Sequence, residues 1–151
     1  MKKTPPTTSE LPIWRMPLDL SVVNTRAQDT LSHFLGIEFV AVGADFLTAR
    51  MPITPKVSQP MGIMHGGASA ALAETVASAA ANYCINQETH VCVGLELNIN
   101  HLRPLKGGYA DAVAKPLHIG KTTQVWEIKI YDSGKKLISA ARLTLAVILI
   151  R

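Results

Sequence analysis

The chain has 151 residues, 48% of them hydrophobic but only 5% aromatic, with fifteen Lys and Arg against eleven Asp and Glu. One domain of this length can bury a full core, and with so few rings that core is built from Ala, Val, Ile and Leu, leaving few platforms on which bases could stack. The mild basic excess gathers between His101 and Arg142, where eight cations (Arg103, Lys106, Lys115, Lys121, Lys129, Lys135, Lys136, Arg142) meet three acids (Asp111, Glu127, Asp132); a solvated basic face and a site for an anion such as a nucleotide phosphate both fit, and no nucleic-acid motif points to DNA or RNA.

In chain order, MKKTPPTTSELPIW has two lysines but no apolar stretch behind them, so it does not read as a signal peptide. Met1 to Pro17 is expected to be an irregular arm. Leu18, Val22, Leu31 and Leu35 fall near helical spacing and predict one helix that stops at Gly36. Residues 1–33 are taken as arm and helix, and 34–151 as the domain proper. IEFVAVG and FLTARMPI, joined around Ala44-Asp45, predict a hairpin.

The Ala-rich, Pro-free segment from Gly66 to about Cys84 predicts the one long helix, apolar on nearly every face and therefore buried all round. CVGLELNINHL alternates, with Val93, Leu95, Leu97, Ile99 and His101 on one face and Glu96, Asn98 and Asn100 on the other. Three more strands follow through LISAARLTLAVIL. Short connections imply a largely antiparallel sheet wrapped on the helix, an α+β fold without repeats or a second domain boundary. The run LTLAVILI is too short to span a bilayer, and a cytoplasmic protein is expected. Cys84 and Cys92 are expected to be reduced, buried thiols. His33, His65, His90, His101 and His118 show no metal-ligand spacing, so no metal site is expected.

Within QPMGIMHGGASAALAET, Gln59 to Thr75, the one carboxylate is Glu74. Burying an ionised carboxylate among alanines is costly unless its pKa rises or a dedicated partner is supplied, and Ala70, Ala73, Ala77 and Ala81 offer no polar stripe for Glu74 to join. A general base or acid fits this placement; the alternative is that Glu74 happens to sit on an exposed stripe. Ser78, one turn on, shares its face and either holds the carboxylate or a water, or bonds back to its own helix. The glycines of His65-Gly66-Gly67 open the helix start, where free N–H groups could hold a developing oxyanion or where the glycines serve only the turn. Gly66 and Glu74 are about 12 Å apart along the axis, too far for one helix to bring both to one atom. If both serve one site, two antiparallel copies of the helix must form it. His101, on the apolar face of its strand, equally fits an ordinary hydrogen-bonded core residue.

QPMGIMHGGASAALAET, followed by VGLELNINHLRP and AKPLHIGKTTQVWEIKIYD, resembles the hotdog-fold acyl-CoA thioesterases of the PaaI-like superfamily. The branch is the hydroxybenzoyl-CoA thioesterase type with Glu on the central helix, together with the related dihydroxynaphthoyl-CoA and enterobactin-proofreading thioesterases. The resemblance covers Phe34 to Leu149 and implies a sheet wrapped around one central helix. It implies Glu74 as nucleophile or general base, and the Gly66 N–H as the donor that polarises the thioester carbonyl, the two coming from different subunits. Gln59 and His65 would position the thioester, Ser78 would support Glu74 or the water, and His101 would line the acyl pocket. CoA phosphates and adenine would lie near Arg103, His118, Gly120, Lys121 and Thr122.

An acyl-CoA substrate, aromatic by resemblance, is thus expected, without cofactor, nucleic acid or membrane, on a homo-oligomer expected to be a dimer of dimers. The phenylacetyl-CoA branch carries Asp where this chain has Glu74, so that branch's substrate is not carried over. Residues 1–33 receive no role. A hotdog hydratase or dehydratase and a non-catalytic acyl-CoA-binding module are the alternatives.

Overall fold

The computed structural model describes residues 12–151; residues 1–11 of the expected arm lie outside them. The single helix expected over Leu18–Leu35 is two, α1 (Leu20–Arg26) and α2 (Leu31–Phe34). Asp19 caps α1 by accepting from the Ser21 N–H at 2.8 Å. The break falls at Asp29, in the left-handed region at φ 59, followed by an extended Thr30 that begins α2. The pair Asp29-Thr30 is a helix-start signal inside the apolar period, and it overrides that period.

The expected hairpin forms β1 (Glu38–Val42) and β2 (Leu47–Pro52), and the long helix is α3 (Gly66–Tyr83). Then come β3 (His90–His101), β4 (Tyr109–Ile119), β5 (Thr123–Tyr131) and β6 (Leu137–Leu149). Every pairing is antiparallel, in the order β1-β2-β4-β5-β6-β3. This is the expected α+β hotdog, a sheet wrapped on one helix. Short hairpins do not make all of it: the chain leaves β3 at one edge of the sheet and crosses to β4 in its middle.

The core lies between α3 and the concave face, with Leu72, Val76, Trp126, Ile128, Leu143 and Leu145 fully buried. Burial of α3 is not all round. Ala73, Ala77, Ala80 and Ala81 are buried, whereas Ala70, Glu74, Thr75, Ser78, Ala79 and Asn82 form a half-exposed stripe. Side chains at i and i+4 share a face, so Glu74 does join a polar stripe; its apolar neighbours in sequence point the other way.

That stripe lies beside β3, which has only β6 as a neighbour. A long open edge is normally covered or paired. Asn82 covers part of it: its Oδ1 accepts the Cys92 N–H at 2.9 Å and its Nδ2 donates to the Cys92 carbonyl at 3.2 Å. The expected alternation of β3 is interrupted by a bulge between Gly94 and Glu96. Beyond it Leu97, Ile99 and His101 pair with the inward Leu143, Ala141 and Ser139, but before it Cys92 and Gly94 take the inward positions while Val93 faces out. One inserted residue shifts the period-2 pattern by one.

Candidate active site

The bulge decides what Glu74 meets. With Gly94 turned inward, a Cβ at that position would press on Glu74 Oε1 and force the carboxylate to shift, so the glycine leaves room for the carboxylate where it stands between helix and edge strand. Ser78 donates its Oγ hydrogen to Glu74 Oε1 at 3.3 Å. Glu74 therefore escapes full burial by facing an open stripe, and one hydroxyl is its hydrogen-bond donor among the described residues.

At the start of α3, His65 is the N-cap, and its Nδ1 accepts the Gly67 N–H at 2.8 Å. That bond puts the ring proton of a neutral His65 on Nε2. Ala68 and Ser69 both donate to the His65 carbonyl, at 3.0 and 3.1 Å. The Gly66 N–H has no acceptor among the described residues. It sits at a cleft of about 310 Å³ lined by Gln59, Ile63, Gly66, His101, Arg103 and Ser139. A Cβ on Gly66 would stand 3.0 Å from His101 Nε2, a tight contact that the glycine avoids.

His101 is exposed rather than in the core. Its Nδ1 lies 3.3 Å from Ser139 Oγ, which accepts from the buried Ser69 Oγ at 3.3 Å. Gln59 shapes the loop before α3 by accepting the Met61 N–H through Oε1 at 2.6 Å, and its Nε2 has no acceptor among the described residues. Arg103 donates from Nη1 to the Leu137 carbonyl at 2.7 Å and is held at the rim of the cleft.

The structure thus brings Gln59, His65, Gly66, His101 and Arg103 together at one end of α3, and Glu74 with Ser78 about two and about three turns along. It does not bring Arg103 to the other expected CoA residues. Gly120 and Lys121 line a cleft of about 460 Å³ with Cys84, Asn86 and Thr89 at the far end of α3, roughly 27 Å from its start. The Gly120 N–H donates to the Thr123 carbonyl at 2.9 Å, and the Thr122 carbonyl accepts the Val147 N–H at 2.9 Å. His118 folds against Gly120.

Gly94, Asn82 and Ser139 were not anticipated. An interior glycine in an alternating strand is a signal for a bulge or a close approach, and Gly94 was legible on that ground. Nothing local marks Asn82 or Ser139. Burial pushes the Cys84 thiol up to about 12 and the Cys92 thiol up to about 11, so both remain protonated at neutral pH and are poor nucleophiles.

Residues 61–139 match the Thioesterase superfamily profile. The 1,4-dihydroxy-2-naphthoyl-CoA hydrolase of Escherichia coli is 41% identical over 136 residues, 90% of this chain and 99% of its own length. The proofreading thioesterase EntH of Cronobacter turicensis is 41% identical over 135 residues, 89% of this chain and 98% of its own. A crystal structure of a mutant of thioesterase PA1618 from Pseudomonas aeruginosa superposes with a TM-score of 0.90 at 41% identity, covering 91% of this chain and 99% of that one. The matched segment contains α3, its free N–H and its carboxylate, and the relatives extend the likeness over both N-terminal helices. The chain therefore belongs to the Thioesterase superfamily, as a thioester hydrolase on the hotdog fold.

Proposed function

We propose that the protein hydrolyses acyl-CoA thioesters as a homodimer in which each active site takes Glu74 from one chain and the Gly66 N–H from the other. The observation that carries this reading is the unpaired Gly66 N–H on the same helix as a sparsely bonded Glu74, about 12 Å away along the axis. Two α3 helices running antiparallel would set Gly66 of each against Glu74 of the other. The half-exposed stripe on α3 and the open edge of β3 give such a pairing its surface. In that arrangement Arg103 of one chain points toward the Gly120-Lys121 turn of the other, which accounts for their separation within one chain.

The thioester carbonyl would sit at the start of α3, its oxygen on the Gly66 N–H, with the Gln59 Nε2 and His65 positioning it and His101 beside the acyl group. Glu74 supplies the attacking oxygen, either its own or that of a water whose proton it takes, with Ser78 holding carboxylate or water. A C–O bond forms and the carbonyl oxygen gains negative charge, which the helix N-terminus stabilises. The C–S bond then breaks and CoA leaves as thiolate, to be protonated by water. In the direct route, water hydrolyses the resulting anhydride and regenerates Glu74.

A cleft of about 550 Å³ that reaches Thr75, next to Glu74 in the chain, has the size for the acyl group and an apolar share of wall from Val23, Phe39, Ala79, Tyr83 and Val91. Its two aromatic rings, and the aromatic acyl group in the name of the E. coli relative, favour an aromatic acyl-CoA. No helix among the described residues is long and apolar enough to cross a membrane.

The test is thiol release over aryl- and fatty-acyl-CoAs of graded length, with the highest kcat/KM expected on aryl-CoAs; no release from any would overturn the reading. Shared sites are tested by mixing Glu74→Ala with Gly66→Pro, which removes the N–H at the first helix position, where Pro suits the backbone, and presses the His101 ring slightly aside. Subunit exchange should restore about a quarter of wild-type activity, since half of the randomly paired dimers are mixed and each mixed dimer has one intact site of two. Mixed dimers as inactive as their parents would place each site within one chain.

A further inference from the structure

The arm before α1 lies outside the matched segment 61–139, yet its course is tightly set. The Ile13 N–H donates to the Ala44 carbonyl at 2.9 Å, and Trp14 Nε1 to the Gly43 carbonyl at 2.8 Å. The N–H groups of Arg15 and Met16 donate to the Tyr83 carbonyl at 2.8 and 3.2 Å, satisfying an acceptor at the end of α3 that would otherwise lack a partner. The Trp14 ring stacks on the fully buried Trp126, with centroids 6.5 Å apart. Backbone and ring contacts on both sides therefore fix residue 15 at the C-terminal end of α3.

What they fix there is a cation without a partner. The Arg15 guanidinium makes no hydrogen bond or ion pair among the described residues, and neither does Lys121 Nζ. Both line the cleft of about 460 Å³, with Asn86, Thr89 and Gly120 beside them and no carboxylate in its wall among the described residues. Two cations converging on a concavity that has no carboxylate among its described residues attract an anion, and the planar guanidinium fork matches phosphate oxygens.

We propose that Arg15 binds the phosphates of the nucleotide half of CoA together with Lys121. The proposal rests on the acyl-CoA reading above. Cys84, in the wall of the cleft, is ten residues from Glu74, about 15 Å along α3. The pantetheine arm between sulfur and phosphate contains two amide links and has about the reach of four extended residues, roughly 14 Å. A thioester held at Glu74 can therefore place its phosphates at this cleft. The arm, which the sequence leaves without a role, becomes part of substrate recognition.

The experiment compares wild type, Arg15→Gln and Arg15→Lys on one acyl group carried by CoA and by pantetheine, which lacks the phosphates. Loss of a charge-assisted bond should raise KM for the acyl-CoA about tenfold with little change in kcat. The loss should vanish on acyl-pantetheine, be largely rescued in Arg15→Lys, and shrink as salt is raised. Equal effects on both thioesters, or an unchanged KM, would overturn the proposal. Binding of desulfo-CoA by calorimetry gives a readout independent of turnover. If wild type releases no thiol, the acyl-CoA hydrolase reading falls, while a tenfold weaker Kd in Arg15→Gln still supports the phosphate site and an unchanged Kd removes it.

Discussion

Asp111 on β4 and Glu74 on α3 are both carboxylates on regular elements next to a buried core, and their surroundings differ sharply. Asp111, on the outer face of the sheet, is 4% exposed. Arg50 grips it with Nε and Nη2 at 2.7 and 2.9 Å, Lys135 adds a contact at 3.5 Å, and the Arg50 guanidinium itself lies over the Tyr109 ring. The hydrogen bond from Arg50 holds the Asp111 carboxyl below the usual carboxylate range. Glu74 has no cation near it among the described residues and accepts one hydroxyl at 3.3 Å. A carboxylate whose lone pairs are taken up by a fork of cations is a structural fastener. One left with spare lone pairs on an open stripe can take a proton or attack a carbon.

The contrast is broken most decisively at Glu74. Replacing it by Gln keeps size and polarity but removes the base, and kcat should fall about 10³-fold while the melting temperature stays near that of wild type. Turnover close to the wild-type rate in a thiol-release assay would remove Glu74 from the mechanism.

A smaller effect sharpens the geometric half of the comparison. Gly94→Ala puts a methyl group against Glu74 Oε1, and displacing the carboxylate by about 1 Å should cost about 10²-fold in kcat. Steady-state kinetics with a circular-dichroism melt would separate this from unfolding, and an unaltered kcat would mean that the Gly94 gap is irrelevant to Glu74.

At Asp111 the expected loss is in stability alone. Asp111→Asn should destabilise by about 1–2 kcal/mol at pH 7, less than for a fully buried pair because Arg50 is partly exposed, with kcat retained. Because the folded-state pKa lies below the ordinary 3.8, the ion-pair contribution is fully present above that value and is lost as pH falls through the folded pKa. Urea midpoints for the two proteins should therefore converge in acid, and a gap that stays constant from pH 7 to pH 3 would contradict this account.

The helix, its boundaries and the exceptional character of Glu74 were legible because they rest on local rules: an Ala-rich run bounded by glycines, and a charge where apolar residues dominate. The same local rules misplaced the surroundings. Ala73, Ala77 and Ala81 made Glu74 look isolated, yet those alanines face the core while Thr75, Ser78 and Asn82 share its side. Asp111 stood out only as one of three acids in a basic stretch, since its partner Arg50 is 61 residues away in the chain. The strand face assigned to Val93 and Leu95 failed because a bulge shifts the alternation, and periodicity alone cannot register an inserted residue unless its glycine is weighed.

By itself the amino-acid order determined the elements with strong local signals, the family likeness carried by QPMGIMHGGASAALAET, and the need for two helices if Gly66 and Glu74 act together. Only the tertiary structure decided that β3 is an edge, that Glu74 lies in the gap left by Gly94, that the Gly66 N–H is unpaired, and that Arg15 stands beside Lys121. The reason is physical. Caps and periodicity act within a few residues of the chain, whereas strand order, close approach and converging charges depend on segments that are distant in sequence and meet only when the core is packed.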